Sequence, residues 1–188
     1  MMRIAVFCGS SQGADPKHLE KTIELAQVMA KKKLHIVYGG GKVGLMGALA
    51  DTAIAAGVHI VGVIPDHLAD KELAHTGVNE LILVKSMHKR KAIMADLADG
   101  FIALPGGPGT LEEISEVWTW GQLGLHHKPC GFLNVNGYFD GLFTFFETMV
   151  AGGFMKQEYL DMLIISDDVT ELFAQMAAYT PPKPKWTT

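Results

Sequence analysis

A chain of 188 residues, 48% hydrophobic and 19% charged, can bury one sizeable core and is too apolar to be disordered. A formal net charge of -4 gives no electrostatic case for a nucleic-acid partner, and no apolar run approaches the ~20 residues of a membrane span. The two cysteines, Cys8 and Cys130, lack metal-ligand spacing and have no export signal beside them, so they are expected to be free thiols in the cytoplasm.

Strand-like and helix-like segments alternate from the start. Residues 4–8 form a first apolar strand, and 17–33 carry a helical stripe of Leu19, Ile23, Leu25 and Met29 behind an Asp15-Pro16 start signal. A strand at 34–38 is followed by an Ala- and Leu-rich helix at 43–56, which Gly57 ends. Residues 58–64 are almost wholly apolar and β-branched, as a central strand requires, and Pro65 stops them. The stretch 66–79 has no clear period and reads as a loop with room for a short helix. Then come a strand at 81–84, a helix at 87–98, a strand at 101–104, a helix at 111–123, a strand at 130–134, a helix at 138–151, a strand at 162–165 and a helix at 169–178. Seven strands alternating with helices predict an α/β, Rossmann-like three-layer fold: a mostly parallel sheet with helices on both faces. One domain is expected over 1–180, with a proline-rich extended or disordered tail at 181–188.

Glycines cluster at three predicted strand ends: Gly9–Gly13, Gly39–Gly44 and Gly106–Gly109. In parallel sheets, ligands bind outside those ends. The third cluster is the most telling. The strand ending at Leu104 runs into Pro105-Gly106-Gly107-Pro108-Gly109-Thr110, and a helix then opens with Glu112 and Glu113 in its first turn. Free N–H groups at a helix start make an anion site, which two carboxylates would oppose unless the ligand also carried ribose hydroxyls or a developing cation. A nucleotide or sugar phosphate meets both demands. Since Glu112 and Glu113 project about a hundred degrees apart, only one can face the cleft squarely. Their plain alternative role is favourable charge at a helix N-terminus.

Other features have competing readings. Gly39-x-Gly41-x-x-Gly44 fits the dinucleotide fingerprint with Asp66 as its ribose acid, but it follows the second strand rather than the first. Arg90 and Lys91 are either a solvated basic patch or cations reaching the strand-end cleft. Glu116 is expected in solvent, and His126-His127 in a solvated loop. Trp118, Trp120, Leu123 and Leu125 suit a core or a subunit interface.

Taken together, these residues carry a resemblance. Pro105-Gly106-Gly107-x-Gly109-Thr110-x-x-Glu113 resembles the PGGxGTxxE signature of the Lonely Guy family. Cys8–Ser11, Val37–Gly41 with Gly44–Gly47, Met87–Ala92 and Trp120–Gly124 fit the same family in order. The resemblance implies hydrolysis of the N-glycosidic bond of adenosine 5'-monophosphates, including N6-modified (cytokinin) ones, giving free base and ribose 5-phosphate. It implies Arg90 and Glu113 as the catalytic pair. It further implies substrate contacts from Glu72, Arg90, Lys91, the loop Gly106, Gly107, Pro108, Gly109, Thr110, Leu111, Glu112 and Glu113, and Thr119. No metal or cofactor is implied. The expected partners are a small-molecule nucleotide and a second copy of the chain, in the cytoplasm, with no nucleic acid and no membrane. Pro108 lacks the N–H that other residues would offer the phosphate. The rival readings are a non-catalytic nucleotide or molybdenum-cofactor-carrier-like protein, a nicotinamide oxidoreductase and a pyridoxal-dependent lysine decarboxylase.

Overall fold

The structure, a computed structural model, describes residues 2–183 and 185, apart from the side chains of Asp70 and Glu72. In chain order the elements are β1 (Arg3–Phe7), α1 (Pro16–Lys31), β2 (His35–Tyr38), α2 (Gly44–Ala55), β3 (Ile60–Pro65), the short α3 (Asp66–Leu68), a π-helical turn (Ala69–Leu73) and β4 (Glu80–Val84). They continue with α4 (Met87–Leu97), β5 (Gly100–Ala103), α5 (Pro108–Gln122), β6 (Cys130–Leu133), a 3-10 turn (Val135–Gly137), α6 (Asp140–Ala151), α7 (Gln157–Leu160), β7 (Leu163–Ser166) and α8 (Val169–Ala178).

All seven strands lie parallel in one sheet, in the order β4-β3-β2-β1-β5-β6-β7. The expected α/β fold is therefore present, and its sheet is parallel throughout. Side-chain alternation sorts the central strands onto two faces. Ile4, Val6, Ile102 and Leu104 pack beneath α1, α2 and α8 with Leu25, Leu49 and Leu172. Ala5, Phe7, Phe101 and Ala103 pack beneath α4, α5, α6 and α7 with Met94, Ile114, Phe146 and Tyr159. Burial on both faces explains why these strands read as unbroken apolar runs.

Chain order also locates the crevice. The strands step one way from β1 to β4, and the chain then returns past β1 to place β5 on its other side. The loops leaving β1 and β5 diverge there, opening the cleft that doubly wound sheets use for ligands.

Two local expectations are corrected and a third is refined. Helix α5 starts at Pro108 rather than at 111, because proline already has helical φ and its missing N–H is not needed at the first position. Glu112 and Glu113 therefore sit in the second turn, where the attraction of the helix end has faded. The segment 66–74 does hold the expected short helix, and it is pinned back onto the sheet end: Lys42 N–H donates to Leu73 O at 2.9 Å and His75 N–H to Gly40 O at 2.9 Å. His126 is not solvated, since its Nε2 lies 2.8 Å from Val117 O and its ring leans on Phe101. The predicted tail at 181–188 falls partly outside the described residues; within the described part, Lys185 N–H donates to Gln122 O at 2.9 Å. Both cysteines are buried free thiols.

Candidate active site

The loops after β1 and β5 are tied at a narrow waist, where Gly9 N–H donates to Pro105 O at 3.1 Å. Glycine is required here. A Cβ on Gly106 would lie 2.2 Å from Thr110 Oγ1 and 2.8 Å from Gly9 N. Gly44, with φ +59°, starts α2 directly beneath the β1 loop, and Leu45 N–H donates to Gly9 O at 3.0 Å. Gly107 and Gly109 face open space instead. They border a cleft of about 380 Å³ whose floor includes Cys8, Gly39, Gly41, Arg90, Thr110 and Glu113. The N–H groups of Gly109 and Thr110, in the first turn of α5, have no partner within the helix.

Arg90 and Glu113 meet across this cleft, Nη1 to Oε1 at 3.4 Å, and each is only 9% exposed. Arg90 leaves the first turn of α4 and reaches over the sheet. Its Nε donates to Val63 O at 3.0 Å and its Nη2 to Gly39 O at 3.1 Å. Two carbonyls, Val63 within β3 and Gly39 just past β2, thus fix the guanidinium plane, which a planar five-donor fork permits and an ammonium would not. Burial raises the Glu113 carboxyl above its ordinary range, while the Arg90 charge pulls it down. The Cys8 thiol is raised first by burial and then by the Glu113 charge, so it stays neutral beneath the pair.

Lys91 points elsewhere. Consecutive helical residues diverge by about a hundred degrees, and Lys91 Nζ is bonded to Glu112 and, at 3.1 Å, to Glu116. Burial would lower the Lys91 pKa, but the bonds to these two carboxylates outweigh it and the net shift is upward. Lys91 therefore braces α4 against α5, and Glu116 is its partner rather than a solvated acid.

Among the residues expected at the site, Arg90, Gly107, Pro108, Gly109, Thr110, Glu112 and Glu113 line the cleft. Gly106 lies on the other side of the waist. Lys91, Leu111 and Thr119 are not among its lining residues, and Thr119 is exposed on α5 with Oγ1 donating to Ser115 O at 2.7 Å. Glu72 belongs to the π-helical turn, and its side chain lies outside what the structure describes. Asp66, the candidate ribose acid of a dinucleotide site, is bonded instead to Lys85 Nζ at 2.6 Å.

Sequence reasoning missed the apolar wall made by Val43, Met46, Ile64, Leu68, Leu73 and Met87. Leu68 and Leu73 carried no signal, since 66–79 has no period. Cys8 and Ser10 could have been found from the glycine cluster at the end of the first strand. Among the described residues, no group of three His, Cys, Asp or Glu is placed to hold a metal ion.

Comparison with known proteins places this geometry in a family. The family described as "Possible lysine decarboxylase" matches residues 46–176. Cytokinin riboside 5'-monophosphate phosphoribohydrolase LOG7 of Arabidopsis thaliana is 45% identical over 179 residues, covering 95% of this chain and 82% of the relative. The enzymes of the same name LOG5 and LOG2, also from Arabidopsis thaliana, are 45% and 42% identical, covering 95% of this chain and 78% and 84% of their own lengths. Among solved structures, the molybdenum cofactor binding protein of Rippkaea orientalis superposes with a TM-score of 0.72 at 20% identity, covering 94% of this chain and 96% of that one. The Moco carrier protein of Chlamydomonas reinhardtii gives 0.70 at 22% identity, covering 94% and 98%. At those identities the two structures speak to the fold alone. The identity to the phosphoribohydrolases extends along nearly the whole chain, and the chain accordingly belongs to the Lonely Guy family, the cytokinin riboside 5'-monophosphate phosphoribohydrolases.

Proposed function

We propose that this protein hydrolyses the N-glycosidic bond of adenosine 5'-monophosphates, plain or N6-modified, releasing free base and ribose 5-phosphate. The observation that carries this reading is the buried Arg90–Glu113 pair at 3.4 Å beside the open start of α5.

The 5'-phosphate sits on the N–H groups of Gly109 and Thr110 and positions the sugar by binding energy remote from the reacting bond. The base lies toward the apolar wall of Met46, Leu68 and Leu73. The C1'–N bond breaks with its electron pair going to the base, leaving a cation-like ribose. Glu113 stabilises that charge, binds ribose hydroxyls and accepts a proton from the water that forms the new C1'–O bond. Arg90, held by two carbonyls, orients Glu113 and stabilises negative charge on the departing base. Glu113 then passes that proton to the departing base, which leaves as the neutral molecule while the carboxylate is restored.

The assembly that fits is one domain over residues 1–180, present as a cytoplasmic homodimer. Leu111, Leu123 and Leu125 are exposed along α5 and just beyond it. Thr119, outside its own cleft, reaches substrate only from a partner subunit. The two buried free thiols suit a reducing compartment. No helix among the described residues is long and apolar enough to cross a membrane.

The test is to incubate purified protein with AMP or isopentenyladenosine monophosphate and follow free base. Wild type releases base, and Glu113→Gln and Arg90→Ala lower the rate at least roughly 10²-fold, the scale of losing one preorganised charge. Equal release by wild type and both variants disproves the assignment.

A further inference from the structure

On the far side of the waist from Glu113 lies a second cavity of about 500 Å³, which the proposed reaction does not use. The two cavities share Gly9, Ser10 and Gly107 in their walls, so a ligand group held at Gly107 borders both. The rest of the second cavity is built by the loop 11–15, His18, Leu45, Pro105, Gly106 and Tyr138. The Tyr138 hydroxyl donates to Gly106 O at 2.7 Å and so ties this wall to the glycine loop.

His18 is the unusual member. It lines the cavity and is only 8% exposed, yet among the described residues its ring nitrogens make no hydrogen bond. The Tyr138 ring meets the imidazole edge-on at 5.3 Å. A Cβ on Gly13 would lie 2.8 Å from His18 Nδ1, so the loop passes directly over the ring. Neither ring nitrogen is among the buried unpartnered atoms, so both keep accessible surface and are open to a ligand that enters the cavity. Asp15 also lines the cavity, and its charge would oppose an anion. Its oxygens are already engaged, Oδ1 by Lys17 N–H at 2.9 Å and Oδ2 by the Asn136 amide at 2.9 Å.

We infer that this second cavity receives the distal phosphate of nucleoside 5'-diphosphates, which bind across the waist and compete with the monophosphate substrate. The inference rests on the reading that places the 5'-phosphate on the N–H groups of Gly109 and Thr110, beside the shared wall at Gly107. With the first phosphate there, its outer oxygens face the shared wall at Gly107 and Ser10. A second phosphate passes over the outer side of the waist, along the wall that Ser10 and Gly107 share, and meets the imidazole. The second cavity, about 500 Å³, has room for a phosphate group.

The experiment uses ADP as probe, titrated calorimetrically into the purified protein and tested as an inhibitor of base release from AMP. ADP is expected to bind and to inhibit competitively. His18→Ala removes the donor, and Ser11→Trp, at an exposed position of the cavity wall, fills the space. Each is expected to raise the ADP dissociation constant at least fivefold while leaving the KM for AMP within twofold. If ADP fails to bind, or if both variants leave ADP binding unchanged or weaken AMP and ADP equally, the inference is overturned. Failure of the parent reading looks different. Absence of base release from AMP, with ADP binding that His18→Ala weakens, would leave the second cavity standing and remove the reaction.

Discussion

The guanidinium of Arg90 occupies the space that a side chain on Gly39 would fill. A Cβ at Gly39 would lie 1.9 Å from Arg90 Nη2, and the carbonyl of the same residue accepts the hydrogen bond from that nitrogen. The bare α-carbon at the end of β2 is thus part of the socket that aims the cation at Glu113.

Gly39→Ala is accordingly expected to displace Arg90 rather than unfold the protein, because the obstacle is the far tip of a flexible side chain. The rate of base release at saturating AMP should fall roughly 10²-fold, as when a preorganised charge is lost. The midpoint of thermal unfolding should move by less than about 4 °C, equivalent to ~1 kcal/mol in a chain of this length. A variant that loses stability in step with activity would refute the socket.

Glu113 predicts a pH dependence. Burial holds its pKa above the ordinary value and the Arg90 charge holds it down. If the ionised carboxylate works, activity is full at high pH and is lost as pH falls through that raised pKa. Arg90→Gln removes the opposing charge, so burial acts alone and the acid limb should move to still higher pH. The pH profiles of kcat/KM for wild type and Arg90→Gln decide this; an unmoved limb would mean that Glu113 is not the titrating group.

The base of the sheet predicts acid sensitivity. His35 and His59 stack at 5.0 Å at the strand ends opposite the cleft, and each has a buried Nδ1 without a hydrogen-bond partner. Burial, the neighbouring His59 and Arg3 lower the His35 pKa below 6.5. The folded state then binds fewer protons than the unfolded state, so this contribution to stability is complete above pH 6.5 and is lost as pH falls below it. His35→Asn should narrow the difference in melting temperature between pH 7.5 and pH 5.5. An unchanged difference would place the acid sensitivity elsewhere.

Lys91 predicts a separation of stability from chemistry. Lys91→Met breaks the tie of α4 to Glu112 and Glu116. The expected loss is ~1.5–3 kcal/mol, the range for hydrogen bonds to charged groups, read as roughly 3–12 °C in melting temperature. The accompanying fall in base release should be smaller than for Arg90→Ala, because the cation facing Glu113 is retained. A fall as deep as that of Arg90→Ala, with no change in melting temperature, would make Lys91 a direct substrate contact.

Much of the fold was legible before any coordinates. The Leu19, Ile23, Leu25 and Met29 stripe marked α1, and the β-branched run before Pro65 marked β3, because local side-chain periodicity is set by which neighbours a residue must bury. The glycine loop before α5 was legible for a similar reason: only glycine lets two loops close as tightly as Gly106 does on Gly9. Helix α5 begins at Pro108, earlier than the apolar stripe indicates, because proline, although it also suits a loop, fits the first helical position. Leu68 and Leu73 were not legible at all, since what orders their segment is pairing with the backbone of Gly40 and Lys42, far back in the chain.

The amino-acid order alone determined the alternation of strands and helices, the amide-lined start of α5, and the short list of charged residues able to serve a nucleotide. Those properties arise from hydrophobic period, backbone permissiveness and side-chain chemistry within a few residues. Only the tertiary structure decided that Arg90, and not the adjacent Lys91, faces Glu113. That choice depends on how α4 is rotated over β3 and on two carbonyls, one within β3 and one just past β2, and a helix of modest amphipathicity does not encode its own rotation.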